Sequence, residues 1–273
     1  MPDDMLIADR APTRVWGQGN ARRVLALHCS LAHAGAWSAL AKALPELEIT
    51  AFDQPGHGRA APWNGTDDLH DLTTGLALAL AQDLAQSGPI DLFGHSFGGT
   101  VALRIALERP DLVRSLVLVE PVIFAAARVA GHPAYEPFAA GHLDLARLIA
   151  AGRQGEAAER FHAAWGGDAT LADLSAPQRD YIIDRMHIIA GQNAALLDDS
   201  AALLAPLRLE SLDRPVLLVE GAASPPVIDA VMTELARRLP RAERLKVPGA
   251  GHMVSITHPS PVAEAIRSHL AAS

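Results

Sequence analysis

A serine between a predicted strand and a predicted helix is the residue of this chain best suited to chemistry. Residues 94–98 read GHSFG, which has the form G-x-S-x-G with Ser96 at its centre. A short apolar segment precedes this motif and a helical pattern follows it, so the order is strand, sharp turn, helix. Gly94 and Gly98 lack a Cβ where strand and helix cross. This context is typical of a turn that presents a nucleophile, so we predict that Ser96 attacks a substrate.

A serine hydroxyl needs a base to remove its proton before it becomes a good nucleophile. His252 follows the last predicted strand and precedes the last predicted helix, in residues 247–252, which read VPGAGH. The chain has 12 histidines, so this position, and not the residue type, selects His252 as the predicted base.

A carboxylate should accept a hydrogen bond from the histidine and stabilise its protonated form. Glu120 ends a predicted strand and lies between Ser96 and His252 in the chain, and we predict that it is this acid. Glu220, at the end of the next strand, and Asp229, within a predicted helix, remain alternatives.

An oxyanion hole needs two backbone N–H groups aimed at the developing charge. The N–H of Phe97 is one candidate, because it starts the helix that follows the serine. The second should come from the loop after the strand at 24–28. We predict the N–H of Ser30, with that of Leu31 as the alternative.

The elements that must position these residues alternate between strands and helices. Short apolar segments predict strands at residues 24–28, 49–53, 90–94, 115–120, 215–221 and 245–247. Apolar spacing predicts helices at 68–86, 226–239 and 260–271, and a helical, loop-broken stretch occupies 121–210. The alternation predicts an α/β fold with a mostly parallel sheet, helices on both faces, and a ligand site beyond the carboxyl ends of the strands.

The composition of the 273 residues argues against several classes of function. The formal net charge of −8 argues against a nucleic-acid partner, and the single cysteine excludes an internal disulfide. Residues 1–5 are acidic and unlike a signal peptide, and no apolar run is long enough for a membrane span, so we expect a cytoplasmic protein without a membrane partner. No phosphate-binding glycine motif or metal-ligand spacing is present, so we predict neither cofactor nor metal.

The chain resembles the α/β-hydrolase superfamily over nearly its whole length. The matching segments are the turn 28–30, the D-x-P-G-H-G turn 53–58, the motif 94–99 and the loop 248–252. The resemblance implies an eight-stranded core formed by residues 1–120 and 211–273. It also implies a helical cap, residues 121–210, that shapes the substrate pocket.

Two positions depart from the pattern of that superfamily. Cys29 stands where a glycine commonly follows the histidine of the oxyanion loop. Residues 221–226 read GAASPP, where the superfamily commonly has G-x-x-D, so the usual acid is missing. Some relatives carry the acid after the preceding strand, which is the place of Glu120.

These observations predict a cofactor-free serine hydrolase that cleaves a small carboxylic ester or thioester through an acyl-enzyme on Ser96. A lactonase, a C–C-bond hydrolase or an acyltransferase would use the same residues and stays open, as do the natural substrate and the oligomeric state. The missing acid after Gly221 keeps a second class open, a binding protein with a degenerate hydrolase fold. A serine at residue 96, where the superfamily's dehalogenases and epoxide hydrolases have an aspartate, argues against those two chemistries.

Overall fold

A seven-stranded sheet forms the centre of the protein in the computed structural model, which describes residues 11–167 and 170–273. In chain order, β1 to β7 are Thr13–Trp16, Arg23–Leu27, Glu48–Phe52, Ile90–His95, Val113–Val119, Val216–Gly221 and Ala242–Val247. Their spatial order is β1-β3-β2-β4-β5-β6-β7, with β1 antiparallel to β3 and all other pairs parallel. The prediction of a mostly parallel sheet is therefore confirmed.

Two details of the sheet correct the sequence-based expectations. The described residues form seven strands and not the eight that the resemblance implied. The apolar segments of the sequence predicted six of these strands. The sequence patterns do not predict the edge strand β1, because it is largely exposed and so lacks the apolar run that marks the buried strands.

Helices cover the sheet and form the segment between β5 and β6. In chain order, α1 to α12 are Ser38–Ala43, Leu69–Leu84, Phe97–Glu108, Ala125–Val129, Tyr135–Ala150, Gln154–Trp165, Ala176–Asp184, Met186–Gly191, Asn193–Leu196, Pro226–Arg238, Val254–Thr257 and Pro259–Ala271. The helices predicted at 68–86, 226–239 and 260–271 are confirmed as α2, α10 and α12, within two residues at each end. No helix of the described residues is both long and apolar enough to cross a membrane.

Buried side chains occupy both faces of the sheet. Along β2, Leu25 and Leu27 belong to one apolar cluster, while Val24 and Ala26 belong to another. This alternation arises because successive side chains of a strand point to opposite faces. Burial on both faces explains why β2 is an uninterrupted apolar run, as expected for a parallel strand between two helical layers.

Six helices, α4 to α9, lie between β5 and β6 in the segment predicted as a cap. A third apolar cluster lies within this segment and includes Leu145 and Leu148 of α5, Ala157 of α6 and Met186 of α8. The helices therefore pack on one another as well as on the sheet. The boundaries of the cap, residues 121–210, stay a prediction. Residues 1–5, from which no signal peptide was expected, lie outside the described residues.

Candidate active site

The turn between β4 and α3 holds Ser96 in a strained backbone conformation. Ser96 has φ 58° and ψ −120°, a combination that residues with a side chain rarely adopt. A Cβ at Gly94 would lie 2.5 Å from the carbonyl oxygen of Gly98, and a Cβ at Gly98 would lie 2.4 Å from that of Leu27. Both glycines are therefore required for the close approach of strand and helix. The strain at a serine is typical of a residue whose position serves function.

The side chains of His252 and Glu120 meet although 132 residues separate them. His252 lies in the loop after β7, and its Nδ1 donates a hydrogen bond to Oε2 of Glu120 at 2.6 Å. Glu120 directly follows β5, has φ 44° and is completely buried. Its Oε1 accepts hydrogen bonds from the N–H of Gly221, at 2.7 Å, and from the hydroxyl of Ser224. Donors thus contact both oxygens of this carboxylate.

These hydrogen bonds keep the Glu120 carboxylate charged in a buried place. Burial by itself raises the pKa of Glu120, but the hydrogen bonds from His252, Ser224 and Gly221 outweigh burial and lower the pKa below its ordinary value. An ionised carboxylate can only accept, so Nδ1 of His252 must carry the proton. In the neutral ring Nε2 then has a free lone pair, which is the state that a general base requires.

Ser96 and His252 line the same two cavities, together with Ser30. The hydrogen bonds of the described residues do not include one between the Ser96 hydroxyl and the His252 ring. Such bonds between a nucleophile and its base are often long without substrate and tighten when substrate is bound. The shared cavity thus brings together the two residues that the sequence predicted as nucleophile and base.

The two alternative carboxylates contact cations instead of His252. Glu220, 1% exposed, accepts a hydrogen bond from Nε of Arg244 at 2.7 Å. Asp229 contacts Arg244 and Lys246, both at 2.7 Å. Among the three candidates, Glu120 is the one whose carboxylate touches the imidazole.

The predicted oxyanion donors come from two different elements of the fold. Phe97 is the first residue of α3, where a helix leaves its N–H groups without intrahelical partners. Ser30 follows β2 and lines both cavities, and its hydroxyl donates to Oε1 of Gln192 at 2.8 Å. Leu31 has φ 61° and lines the wider cavity, but not the narrower one. The roles of these N–H groups stay predictions.

The structure adds three residues around His252 that the sequence did not indicate. His95 donates from Nε2 to the carbonyl oxygen of His252 at 2.9 Å, and burial lowers the pKa of His95 to about 3, so its ring is neutral. The Trp165 ring lies 4.6 Å from the His252 ring, centroid to centroid. Ser224, whose hydroxyl contacts Glu120, occupies the aspartate position of the G-x-x-D pattern. This position in the pattern is the one feature of the sequence that could have indicated the contact.

Two cavities meet at Ser96 and differ in how deeply they are buried. We call the first the inner cavity, in which nine of the eleven lining residues are buried. Its lining residues are Ser30, Ser96, Val122, Phe124, His142, Phe161, Trp165, Ile189, Gln192, Leu196 and His252. We call the second the outer cavity, in which four of the twelve lining residues are buried. It is lined by Cys29, Ser30, Leu31, Ala32, Ser96, Phe161, His162, Trp165, Gly166, Ile182, His252 and Met253.

The outer cavity continues toward the surface. It shares Leu31, Ala32 and Ile182 with a wide groove lined also by residues of α7. Cys29, in its wall, is buried, and burial raises the pKa of its thiol to about 12, so the thiol stays protonated. Within residues 11–167 and 170–273, no group of three or more His, Cys, Asp or Glu side chains is arranged to hold a metal ion.

Comparison with known proteins identifies the family of this chain. A family model described as alpha/beta hydrolase fold matches residues 22–259, which is most of the chain. The chain belongs to the alpha/beta hydrolase fold family. The resemblance inferred from the sequence motifs is therefore confirmed.

Two relatives and one solved structure illustrate the similarity of this α/β-hydrolase to known proteins. It is 32% identical over 270 residues to lipase LipV of Mycobacterium tuberculosis, covering 93% of this chain and 95% of the relative. It is 30% identical over 264 residues to a pimeloyl-(acyl-carrier protein) methyl ester esterase of Xanthomonas campestris pv. campestris, covering 93% and 97%. The crystal structure of a hydrolase from Pseudomonas aeruginosa matches with a TM-score of 0.73 at 21% identity, covering 94% and 93%, which concerns the fold alone. The names of the two relatives support the prediction of a hydrolase that acts on ester bonds.

Proposed function

We propose that this α/β-hydrolase cleaves small carboxylic esters or thioesters through an acyl-enzyme on Ser96. The observation that carries the proposal is the 2.6 Å hydrogen bond between His252 and Glu120 beside the cavity that Ser96 lines. A buried carboxylate that holds an imidazole in one tautomer, next to a strained serine, is the arrangement that activates a serine hydroxyl.

The reaction has two halves, and His252 moves a proton in each of them. Nε2 of His252 removes the hydroxyl proton of Ser96, and Oγ forms a bond to the carbonyl carbon of the ester. The N–H groups of Phe97 and Ser30 hold the resulting oxyanion. When the oxyanion collapses, the bond to the alcohol or thiol breaks, and His252 gives its proton to that leaving group.

The second half repeats these steps with water. His252 removes a proton from a water molecule, which attacks the acyl carbon and forms a second oxyanion. Its collapse breaks the bond to Ser96 and releases the acid, and His252 returns the proton to the Ser96 oxygen. Glu120 stays ionised throughout and stabilises the imidazolium that forms in each half.

The names of the curated relatives agree with this class of substrate. One is a lipase and one is a methyl ester esterase, and both align with more than nine tenths of this chain. We further propose that residues 121–210 act as a cap over the site, because Phe161 and Trp165 of this segment line both cavities beside Ser96.

A panel of substrates tests the proposed function. We expect the purified protein to hydrolyse p-nitrophenyl esters of short acids, and lactones and thioesters assayed beside them define the breadth of the activity. A fluorophosphonate probe should label the wild type and the Ser268→Ala variant, which changes an exposed serine, but not the Ser96→Ala variant. A folded wild-type protein that neither turns over any ester nor takes the label would refute the enzyme and favour a binding protein.

A further inference from the structure

Two polar side chains of the inner cavity have no place in the mechanism above. The inner cavity is otherwise apolar apart from the residues of the reaction, but it also contains His142 of α5 and Gln192, which lies between α8 and α9. These side chains are almost fully buried, at 6% and 2% exposed. A buried polar group without a partner is costly, so each needs a physical explanation.

Gln192 has a partner at one end of its amide. Its Oε1 accepts the hydrogen bond from the Ser30 hydroxyl at 2.8 Å, which fixes the orientation of the amide beside the predicted oxyanion loop. The Nε2 group is buried and has no hydrogen-bond partner in the protein. Gln192 thus contributes an unused donor to the cavity that Ser96 also lines.

His142 has an unpartnered ring nitrogen in the same cavity. Its Nε2 is buried without a hydrogen-bond partner, and its ring stacks on Phe138 with centroids 5.5 Å apart. Burial lowers the pKa of His142 to about 4, although the neighbouring Asn193 side chain opposes this shift, so the ring is neutral at neutral pH. A neutral imidazole can donate or accept a hydrogen bond but does not offer a positive charge.

The charges around the two cavities exclude an anionic tail on the bound molecule. Neither the inner nor the outer cavity has an arginine or a lysine among its lining residues. A carboxylate buried there would have no counter-ion, and burying an unpaired charge costs far more than burying a neutral oxygen. The bound group is therefore uncharged.

The position of the cavities assigns the polar subsite to the acyl part of a substrate. The alcohol must depart before water attacks, and the outer cavity leads through Leu31, Ala32 and Ile182 to the surface groove. The acyl group, which stays bonded to Ser96, then occupies the buried inner cavity.

We propose that the inner cavity is a specificity site for short acyl groups that carry one uncharged oxygen, a ketone or a hydroxyl, bound by Gln192 and His142. The Nε2 group of Gln192 donates to this oxygen, and Nε2 of His142 donates to a ketone or accepts from a hydroxyl. The proposal rests on the proposed function and specifies its substrate class.

Matched pairs of p-nitrophenyl esters test this assignment. Each pair has the same chain length and differs by one oxygen: butanoate and 3-hydroxybutanoate, pentanoate and 4-oxopentanoate, hexanoate and 5-oxohexanoate. In at least one pair we expect the oxygenated ester to have a kcat/KM about tenfold higher, since an unmade bond leaves buried polar groups unpaired. The hemisuccinate, which adds a carboxylate, should be the poorest substrate.

Variants then separate the two side chains from the rest of the site. Gln192→Met and His142→Phe should lower the preference for the oxygenated ester, measured as the ratio of kcat/KM within each pair, toward unity. Ser30→Ala removes the hydrogen bond that orients the Gln192 amide and should weaken the preference as well, whereas Ser268→Ala, which changes an exposed serine of α12, should keep it. Thermal unfolding of each variant verifies that it is folded.

A binding measurement keeps the result independent of catalysis. In the Ser96→Ala background, calorimetry compares methyl 4-oxopentanoate with methyl pentanoate, and likewise for the other pairs, and we expect about tenfold tighter binding of one oxygenated ester. Equal binding and equal kcat/KM within every pair would overturn the specificity site and leave the hydrolase standing. Preferential binding without any turnover would instead overturn the proposed function and leave the site standing.

Discussion

Replacing Glu120 with glutamine tests the proposed chemistry most directly, because the substitution keeps the shape and removes the charge. In the wild type, Oε1 accepts from Gly221 and Ser224, and Oε2 accepts from His252. Two donors at one end and one at the other decide the orientation of the new amide. Its oxygen keeps the contacts to Gly221 and Ser224, and its NH2 group faces Nδ1 of His252. The ring must then accept at Nδ1 and carry its proton on Nε2.

The expected loss of kcat follows from this tautomer of His252. A protonated Nε2 has no lone pair for the Ser96 hydroxyl, and the neutral amide cannot stabilise the imidazolium. In the reference serine-protease triad the same exchange lowers kcat by about 10⁴, which corresponds to about 5.4 kcal/mol at 1.36 kcal/mol per tenfold. We expect Glu120→Gln to reduce kcat by the same order.

The assay is the steady-state hydrolysis of the best p-nitrophenyl ester from the substrate panel. Glu220→Gln and Asp229→Asn are the matched controls, because both carboxylates contact Arg244 and not His252, and both should keep the wild-type kcat. A folded Glu120→Gln variant with wild-type kcat, or a large loss of kcat in Glu220→Gln, would refute the reasoning about the acid.

Three further outcomes are expected. Ser224→Ala removes one hydrogen bond to the Glu120 carboxylate and should lower kcat about tenfold, whereas Ser224→Thr keeps the hydroxyl and most of the activity; equal rates in all three proteins would contradict this. Gly98→Ala places a Cβ 2.4 Å from a backbone carbonyl oxygen of β2 and should lower the free energy of unfolding by about 1–3 kcal/mol in urea titrations, and an unchanged midpoint would argue against that clash. Burial lowers the pKa of His95 to about 3 and of His57 to about 4, from 6.5, so between these values the unfolded chain binds more protons than the folded one. The free energy of unfolding should therefore fall as the pH is lowered from about 6.5 to 4, by up to about 1.4 kcal/mol per pH unit for each histidine, and an equal or higher urea midpoint at pH 5 than at pH 7 would contradict this.

Much of the fold was determined by local patterns that the sequence carries by itself. The parallel strands β2 to β6 are buried on both faces, so each contains a short apolar run bounded by turn residues, and the runs alternate with helical spacing. The edge strand β7 is largely exposed, and its sequence predicted only residues 245–247 of Ala242–Val247. The turn around Ser96 is equally local. A Cβ at Gly94 would clash with Gly98, four residues away, and a Cβ at Gly98 would clash with Leu27 of the neighbouring strand β2. The exposed strand β1 has no such pattern, and it became visible only through its pairing with β3.

Contacts between distant parts of the chain were decided by the tertiary structure. The chain order admitted Glu120, Glu220 and Asp229 as partners of His252, and packing selected among them because Arg244 lies beside two of the three. The inner cavity likewise combines side chains from helices far from the serine in sequence, and no spacing rule joins them. Such sites depend on how distant helices and strand ends pack together, which a one-dimensional pattern does not encode.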